Sequence, residues 1–270
     1  MSRTTAAAHR HAKDPATARV TGLRPAGRQS AALREEVAWA CRILAAHGHG
    51  DLTLGHVSAR DSARVLMKRK GLGLEEVTPR DVLTLDLEGR KVAGDGIVHL
   101  EAPLHTEVYK ARPDVGAVIH THPVYSTALG ATDGRLLYLS HDSLLFPEGI
   151  GIFEDTAGLV MERETGAAIA RALGRRRVVL LRNHGVLVAG QDVRWAVLTA
   201  LTFERALYLQ AAAARLGTLR PIPEEQIAAL HASKYRGEFM DEYWAYWVRG
   251  LRRMELDDGM PASTARRRRT

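Results

Sequence analysis

The segment AVIHTHPVY, from Ala117 to Tyr125, closes an apolar run with two histidines two residues apart. Side chains two apart on a strand point to the same face, so His120 and His122 share one face and Thr121 takes the other. Neutral imidazole is the commonest metal ligand, and the carboxyl end of a strand is where open α/β sheets place their ligands. A buried histidine can equally do no more than satisfy a backbone group, so the pair by itself leaves both uses open. A second stretch, RVVLLRNHGVLVAG, repeats the design: an apolar strand, a polar break at Arg182-Asn183, then His184. A turn histidine is the plainer reading there. The following Gly185 lets the backbone bend sharply and brings the imidazole close to another element. Upstream, Glu101 in VHLEAPLH begins the helix that leads to the His-Thr-His strand. Three histidines and a carboxylate make a divalent-metal site with room for a substrate, whereas structural zinc sites favour closed, cysteine-rich shells. The chain has one cysteine, Cys41, and cannot build the latter.

These residues need a framework of strands and helices to meet. Ser30 is expected to cap a helix running to about His47, with Leu33, Val37, Ala40, Cys41 and Leu44 at helical spacing. A glycine-rich segment, HGHGDLTLGHVSARD, then leads into an extended run. ARVLMKRKG and DVLTLDLEGRKV read as strands, the second ending in a Glu-Gly turn, with a short helix opening at Thr78 between them. APLHTEVYKARPDV reads as an amphipathic helix stopped before Pro113. VGAVIH is a strand, and Pro123 suits the first turn of the next helix. EGIGIFE and RVVLLRN are further strands, RETGAAIARALG a helix ending at Gly174, and a long helix spans about Asp192 to Leu216. The last part, through EYWAYWVRGLRRM, reads as helical. Alternation of strand and helix without a repeat or a central linker implies one α/β domain, and on alternation alone a parallel sheet.

Composition narrows the class further. The 270 residues are 46% hydrophobic, enough for one large domain with a sizeable core. No run approaches the roughly 20 apolar residues needed to span a bilayer, and the basic N-terminus lacks a signal peptide's apolar block. The lone cysteine rules out an intrachain disulfide and suits a reducing cytoplasm. The net charge of +7 sits in the ends: residues 1–28 carry six basic residues against Asp14, and PASTARRRRT carries four arginines. The remainder is slightly acidic, so no polyanion or nucleic-acid partner is expected. The domain is expected over residues 29–220, with a helical segment over 221–260. Disordered extensions are expected at 1–28 and 261–270.

The order of these motifs resembles the class II aldolase/adducin family, from about Ala31 to Leu216. The resemblance is carried by EAPLHTEVYKARPDVGAVIHTHP, in which His120 follows Glu101 by 19 residues, and by the distant LLRNHG. It implies that His120, His122 and His184 bind one divalent ion per subunit, zinc first and Mn2+, Fe2+ or Co2+ as alternatives. It implies Glu101 as the acid/base. The implied fold is a three-layer α/β/α arrangement around a mostly antiparallel sheet. It also implies a homotetramer with sites at subunit interfaces, where a C-terminal tyrosine such as Tyr243 or Tyr246 can approach. The aromatic run DEYWAYWVRG gives a separate reason to expect self-association.

The chain departs from the sugar-phosphate aldolases of that family where they hold phosphate. The first motif reads GHVSAR, with His56 in place of Asn and Ser58 kept. The next reads MKRKGLG, placing Lys68 and Lys70 beside Gly71, and the pair before Glu101 is His99-Leu100. A phosphate cradle needs several converging donors and space. Imidazoles and cations in those positions suit a flat carboxylated small molecule instead. The expected activity is a metal-dependent carbon–carbon lyase, foremost a decarboxylase of a hydroxylated aromatic or heteroaromatic carboxylate. The second expectation is an aldolase acting on a non-phosphorylated hydroxy-carbonyl compound. An iron-dependent oxidative decarboxylase or a non-catalytic adducin-like module ranks lower.

Overall fold

The computed structural model describes residues 26–258. The expected tail 261–270 lies outside them, as does the expected extension apart from residues 26–28. Helix α1 begins inside that extension and covers Ala26–Leu44. It therefore starts before Ser30, whose hydroxyl bonds the Asp61 carboxylate instead of capping the helix. After Leu44 the chain leaves helical geometry at His47 and turns at Gly48, where φ is +84°.

Eight strands form one sheet: β1 His56–Asp61, β2 Arg64–Lys68, β3 Val82–Asp86, β4 Lys91–Ala93, β5 Ala117–Thr121, β6 Gly151–Phe153, β7 Val178–Leu181 and β8 Gly185–Gly190. Their spatial order is β4-β3-β2-β1-β5-β8-β7-β6. Every pair is antiparallel except β6 with β7. Alternation alone pointed to a parallel sheet, and the turns explain the difference. β1–β2, β3–β4 and β7–β8 are joined by a few residues each, a connection open only to antiparallel neighbours. DVLTLDLEGRKV is thus two strands, with Asp86 accepting from the backbone N–H groups of Glu88 and Arg90 across the turn. β8, which sequence periodicity left unassigned, is the return strand of the Asn-His-Gly hairpin. The parallel pair β6–β7 is joined through α4, Arg163–Leu173, as parallel strands require.

Helices cover both faces. α1 and α5 (Val193–Leu216) pack on one side over Val57, Ala59, Ala117, Ile119, Val186 and Val188. On that side α3 (Val124–Gly130) follows Pro123, which caps the helix from just outside it. α2 (Ala102–Ala111) and α4 cover the other side over Val65, Met67, Val118, Val179 and Leu187. The alternation of β1 and β5 is what divides their side chains between the two cores. The C-terminal part is two helices, α6 Glu224–Lys234 and α7 Met240–Asp258, broken at Tyr235. Met240 and Trp244 are buried in the α1–α5 core, with Trp247, Val248 and Leu251 packed against it. Much of the aromatic run is therefore used within the chain, while Tyr243 and Tyr246 stay exposed.

Candidate active site

β5 lies at the centre of the sheet, between β1 and β8. Its register places His120 opposite His56 on β1 and Leu187 on β8. One residue past the strand, His122 reaches the hairpin between β7 and β8, where Asn183 turns at φ +56° and presents His184. Gly185 is a steric requirement at this point: a Cβ would stand 2.4 Å from the His122 ring and 2.7 Å from the Thr121 carbonyl oxygen. Glu101 arrives from a third element, as the residue preceding α2.

Hydrogen bonds behind the rings settle how the histidines face forward. His120 Nδ1 lies 3.0 Å from the Val186 carbonyl oxygen. His122 Nδ1 lies 3.1 Å from a carboxylate oxygen of Asp51. Both partners only accept, so each neutral ring carries its hydrogen on Nδ1 and keeps a bare lone pair on Nε2. Those two Nε2 atoms face each other at 3.1 Å. Two lone pairs at that separation repel, and a cation bound to both removes the repulsion. His184 completes the group, with ligand atoms of all three within 4.8 Å of one another. Its Nδ1 is buried and has no hydrogen-bond partner. Burial holds His120 well below the usual imidazole range and lowers His184 to about 4, so both stay neutral and able to ligate near pH 7. The donor set therefore fits a divalent ion of borderline softness.

Glu101 is 2% exposed. One of its oxygens accepts the Val160 backbone N–H at 2.9 Å and lies 3.7 Å from His184 Nε2. The other lies 3.5 Å from His56 Nε2 and 3.7 Å from His120 Nε2. Burial raises the carboxyl pKa, with the Val160 N–H acting in the opposite direction. A carboxyl so placed can carry a proton closer to neutral pH than a solvated one. His99 packs on His56 with ring centroids 3.9 Å apart, and burial, then Lys68, lowers it to about 4.

A cleft of about 750 Å³ opens in front of these groups. Lys70, His99, Glu101, His122, Asn183 and His184 line its polar part, and Leu54, Leu100, Val124 and Leu159 its apolar part. The other residues with expected substrate contacts sit elsewhere: His56 is wholly buried behind Glu101 and does not line the cleft. Lys68 is wholly buried with its ammonium 3.4 Å from the Thr53 carbonyl oxygen, because strand alternation puts it on the face of Leu66, two residues earlier, beneath α1. Ser58 is also wholly buried, bonded to His105 and Tyr109 behind His56. Gly71 turns at φ +89° with open space around it, outside the cleft lining. Sequence reasoning passed over Asp51, His49, His105 and Tyr109. His105 and Tyr109 had a signal, since they follow Glu101 at intervals of four on one helix face. Asp51 sits in an irregular loop, where no periodicity marks it.

The chain is similar to known proteins in both sequence and fold. The model of the class II aldolase and adducin N-terminal domain matches residues 35–211. The chain is 35% identical over 218 residues to a 3,4-dihydroxyphthalate decarboxylase of Arthrobacter keyseri, covering 74% of this chain and 86% of that protein. It is 36% identical over 215 residues to a protein of the same name from Terrabacter sp. (strain DBF63), covering 74% and 89%. Among solved structures, an L-fuculose 1-phosphate aldolase from Glaciozyma antarctica PI12 superposes with a TM-score of 0.77 at 25% identity, covering 87% of this chain and 94% of that one. With three histidines and a glutamate converging from β5, the Asn-His-Gly hairpin and the start of α2, the chain belongs to the class II aldolase and adducin N-terminal domain family.

Proposed function

We propose that this chain is a divalent-metal-dependent lyase that removes a carboxylate from a hydroxylated aromatic or heteroaromatic acid. The observation that carries the reading is Glu101: a buried carboxyl beside a three-histidine group, opening on a cleft that His99 and Leu100 line at expected phosphate-binding positions. The decarboxylases at 35–36% identity support the same reaction class. His120, His122 and His184 are the ligands in this reading, with zinc the first choice because three imidazoles and an open position make a catalytic zinc set, and Mn2+, Fe2+ or Co2+ the alternatives. When bound there, the ion supplies Lewis acidity toward a substrate hydroxyl or carboxylate oxygen.

The protein's own groups do the rest. Leu54, Leu100 and Leu159 give the cleft apolar walls suited to the faces of a planar ring, and they exclude water from it. The Lys70 ammonium and a His99 N–H turn toward substrate carboxylate oxygens. Protonated Glu101 delivers its hydrogen to the ring carbon that bears the leaving carboxylate. The carbon–carbon bond then breaks, its electron pair restores the ring, and CO2 departs. Glu101 is left as a carboxylate, held by the Val160 N–H, until solvent returns a proton. We further propose a cytoplasmic homotetramer acting on a small carboxylate, with exposed Tyr243 and Tyr246 at its contacts, and no membrane or nucleic-acid partner. Among the described residues no helix is long and apolar enough to cross a membrane.

The test is a panel of fuculose and ribulose phosphates, free hydroxy-ketones, and hydroxylated benzoates, phthalates and pyridine carboxylates with metal-loaded protein. CO2 from an ortho-hydroxylated aryl acid is the expected result. Aldehyde from a phosphorylated sugar, with no CO2 from any aryl acid, overturns the reading.

A further inference from the structure

Behind Glu101, away from the cleft, a line of side chains runs into the core. His56 Nε2 is 3.5 Å from Glu101, and His56 Nδ1 is 2.6 Å from His105 Nε2. His105 Nδ1 is 2.6 Å from Ser58 Oγ, and Ser58 Oγ is 2.8 Å from the Tyr109 hydroxyl. None of the four is more than 1% exposed. We infer that Tyr109, through Ser58 and His105, is a positioning residue that makes His56 present an N–H to Glu101.

Counting hydrogens gives the direction. A neutral imidazole has one N–H and one bare nitrogen, and the short contact between the two rings holds one hydrogen. The line therefore has two self-consistent directions. In the inward one, His56 donates to His105, His105 to Ser58 and Ser58 to Tyr109. The phenol hydrogen then has nowhere to go, because Ser58 Oγ is the side-chain partner the structure gives Tyr109 and the Val118 backbone group bonded to the phenol acts on it as a donor. Once Glu101 has given up its proton, His56 would also face the carboxylate with a lone pair. In the outward direction Tyr109 donates to Ser58, Ser58 to His105 Nδ1, His105 Nε2–H to His56 Nδ1, and His56 Nε2–H to Glu101. Every hydrogen has an acceptor, and a buried donor left without one is costly. The outward direction wins because the line ends in a phenol and not in a carbonyl.

The consequence falls on Glu101. One oxygen takes the Val160 N–H and the other the His56 N–H, so the carboxylate left by proton transfer is held on both sides in one rotamer. The backbone serves the same end. Glu101, His105 and Tyr109 stand one helical turn apart along α2, while His56 and Ser58 share a face of β1. The line is the seam between that helix and that strand.

This inference rests on the proton-donor role of Glu101 proposed above, and two readouts separate the failures. A neutron structure of the metal-loaded wild type should place hydrogen on His56 Nε2 and direct the Tyr109 hydroxyl at Ser58. Hydrogen on His56 Nδ1 overturns the inference whether or not any substrate is turned over. In kinetics, Tyr109→Phe and Ser58→Ala should each lower kcat by about tenfold, the worth of one buried hydrogen bond. KM and metal content should stay within about twofold. Unchanged kcat in folded Tyr109→Phe protein also overturns it. An inert wild type with the hydrogen on His56 Nε2 refutes the proposed reaction and leaves the positioning intact.

Discussion

Two groups of histidines flank Glu101 and differ in what their second nitrogens do. His120 and His122 are tied from behind to atoms that only accept, the Val186 carbonyl and the Asp51 carboxylate. Their forward nitrogens are left bare and mutually repulsive. His56, His105 and His49 are tied to other side chains, with His49 Nδ1 2.9 Å from the Thr121 hydroxyl. His56 and His105 have both nitrogens engaged in this way and offer a cation nothing. The second partner, more than the imidazole, thus separates a ligand from a structural histidine.

The largest expected effect lies at the residue both groups share. Glu101→Gln keeps the shape and removes the transferable proton. Turnover should fall by about 10²–10⁴-fold, and elemental analysis should find the metal retained. Loss of metal along with activity would make Glu101 a ligand and blur the two groups.

Burial gives histidines of both groups a signature in pH, and His49 isolates the structural share. Burial lowers His49 to about 4 in the folded chain, against about 6.5 for an unfolded histidine. The folded pKa is depressed, so its contribution is fully present above pH 6.5 and is lost as pH falls toward 4. In that window the unfolded chain takes up a proton that the folded one refuses. About 3 kcal/mol is at stake. Denaturant titrations of metal-free protein across the window should show the loss, and His49→Gln should show a shallower slope. Equal slopes would place the pH sensitivity elsewhere.

The ligand group is probed through its second partner. Asp51→Asn offers His122 Nδ1 a carboxamide in place of a carboxylate. Metal affinity should drop by about 10–100-fold, measured by competition with a chelator, while Ser58→Ala should leave it unchanged. If both substitutions cost the same affinity, the distinction between the groups fails.

The smallest effect sharpens the cleft's boundary. Lys70→Ala should raise KM for an aryl carboxylate by about tenfold, as the loss of one charge-assisted hydrogen bond. Lys68→Met should change KM little, because its ammonium is directed to the Thr53 carbonyl beneath α1. The reverse outcome would mean that the buried lysine reaches the substrate.

Much of this was readable in advance, for identifiable reasons. A two-residue period put His120 and His122 on one face of β5, and the glycine after His184 marked a close approach that the 2.4 Å clash at Gly185 now explains. Glu101 was legible by its place at the head of an amphipathic helix. His56, Ser58, Lys68 and Gly71 were grouped with the substrate contacts because they stand in the motifs where the family's sugar-phosphate aldolases hold phosphate, whereas packing buries the first three and leaves Gly71 outside the cleft lining. β2 ends at Lys68, so Lys70, two residues on and already in the turn, is free of the strand's alternation and lines the cleft while Lys68 is buried. The long aromatic C-terminal run also divided, with Trp244 inward and Tyr246 outward, as helical periodicity demands.

The amino-acid sequence by itself determined which elements form and which side chains share a face, since periodicity and glycine sterics act within a few residues. It therefore determined that imidazoles would stand at the ends of two apolar strands. Only the tertiary structure decided which strands became neighbours, and so which nitrogen of each ring was left free. The acceptors at Val186 and Asp51 lie 66 and 71 residues from the histidines they fix. The hydrogen-bond direction at His56 is likewise set by a phenol that α2 carries into the core. Hydrogen-bond partners over such separations follow from packing, and no local pattern in the chain encodes them.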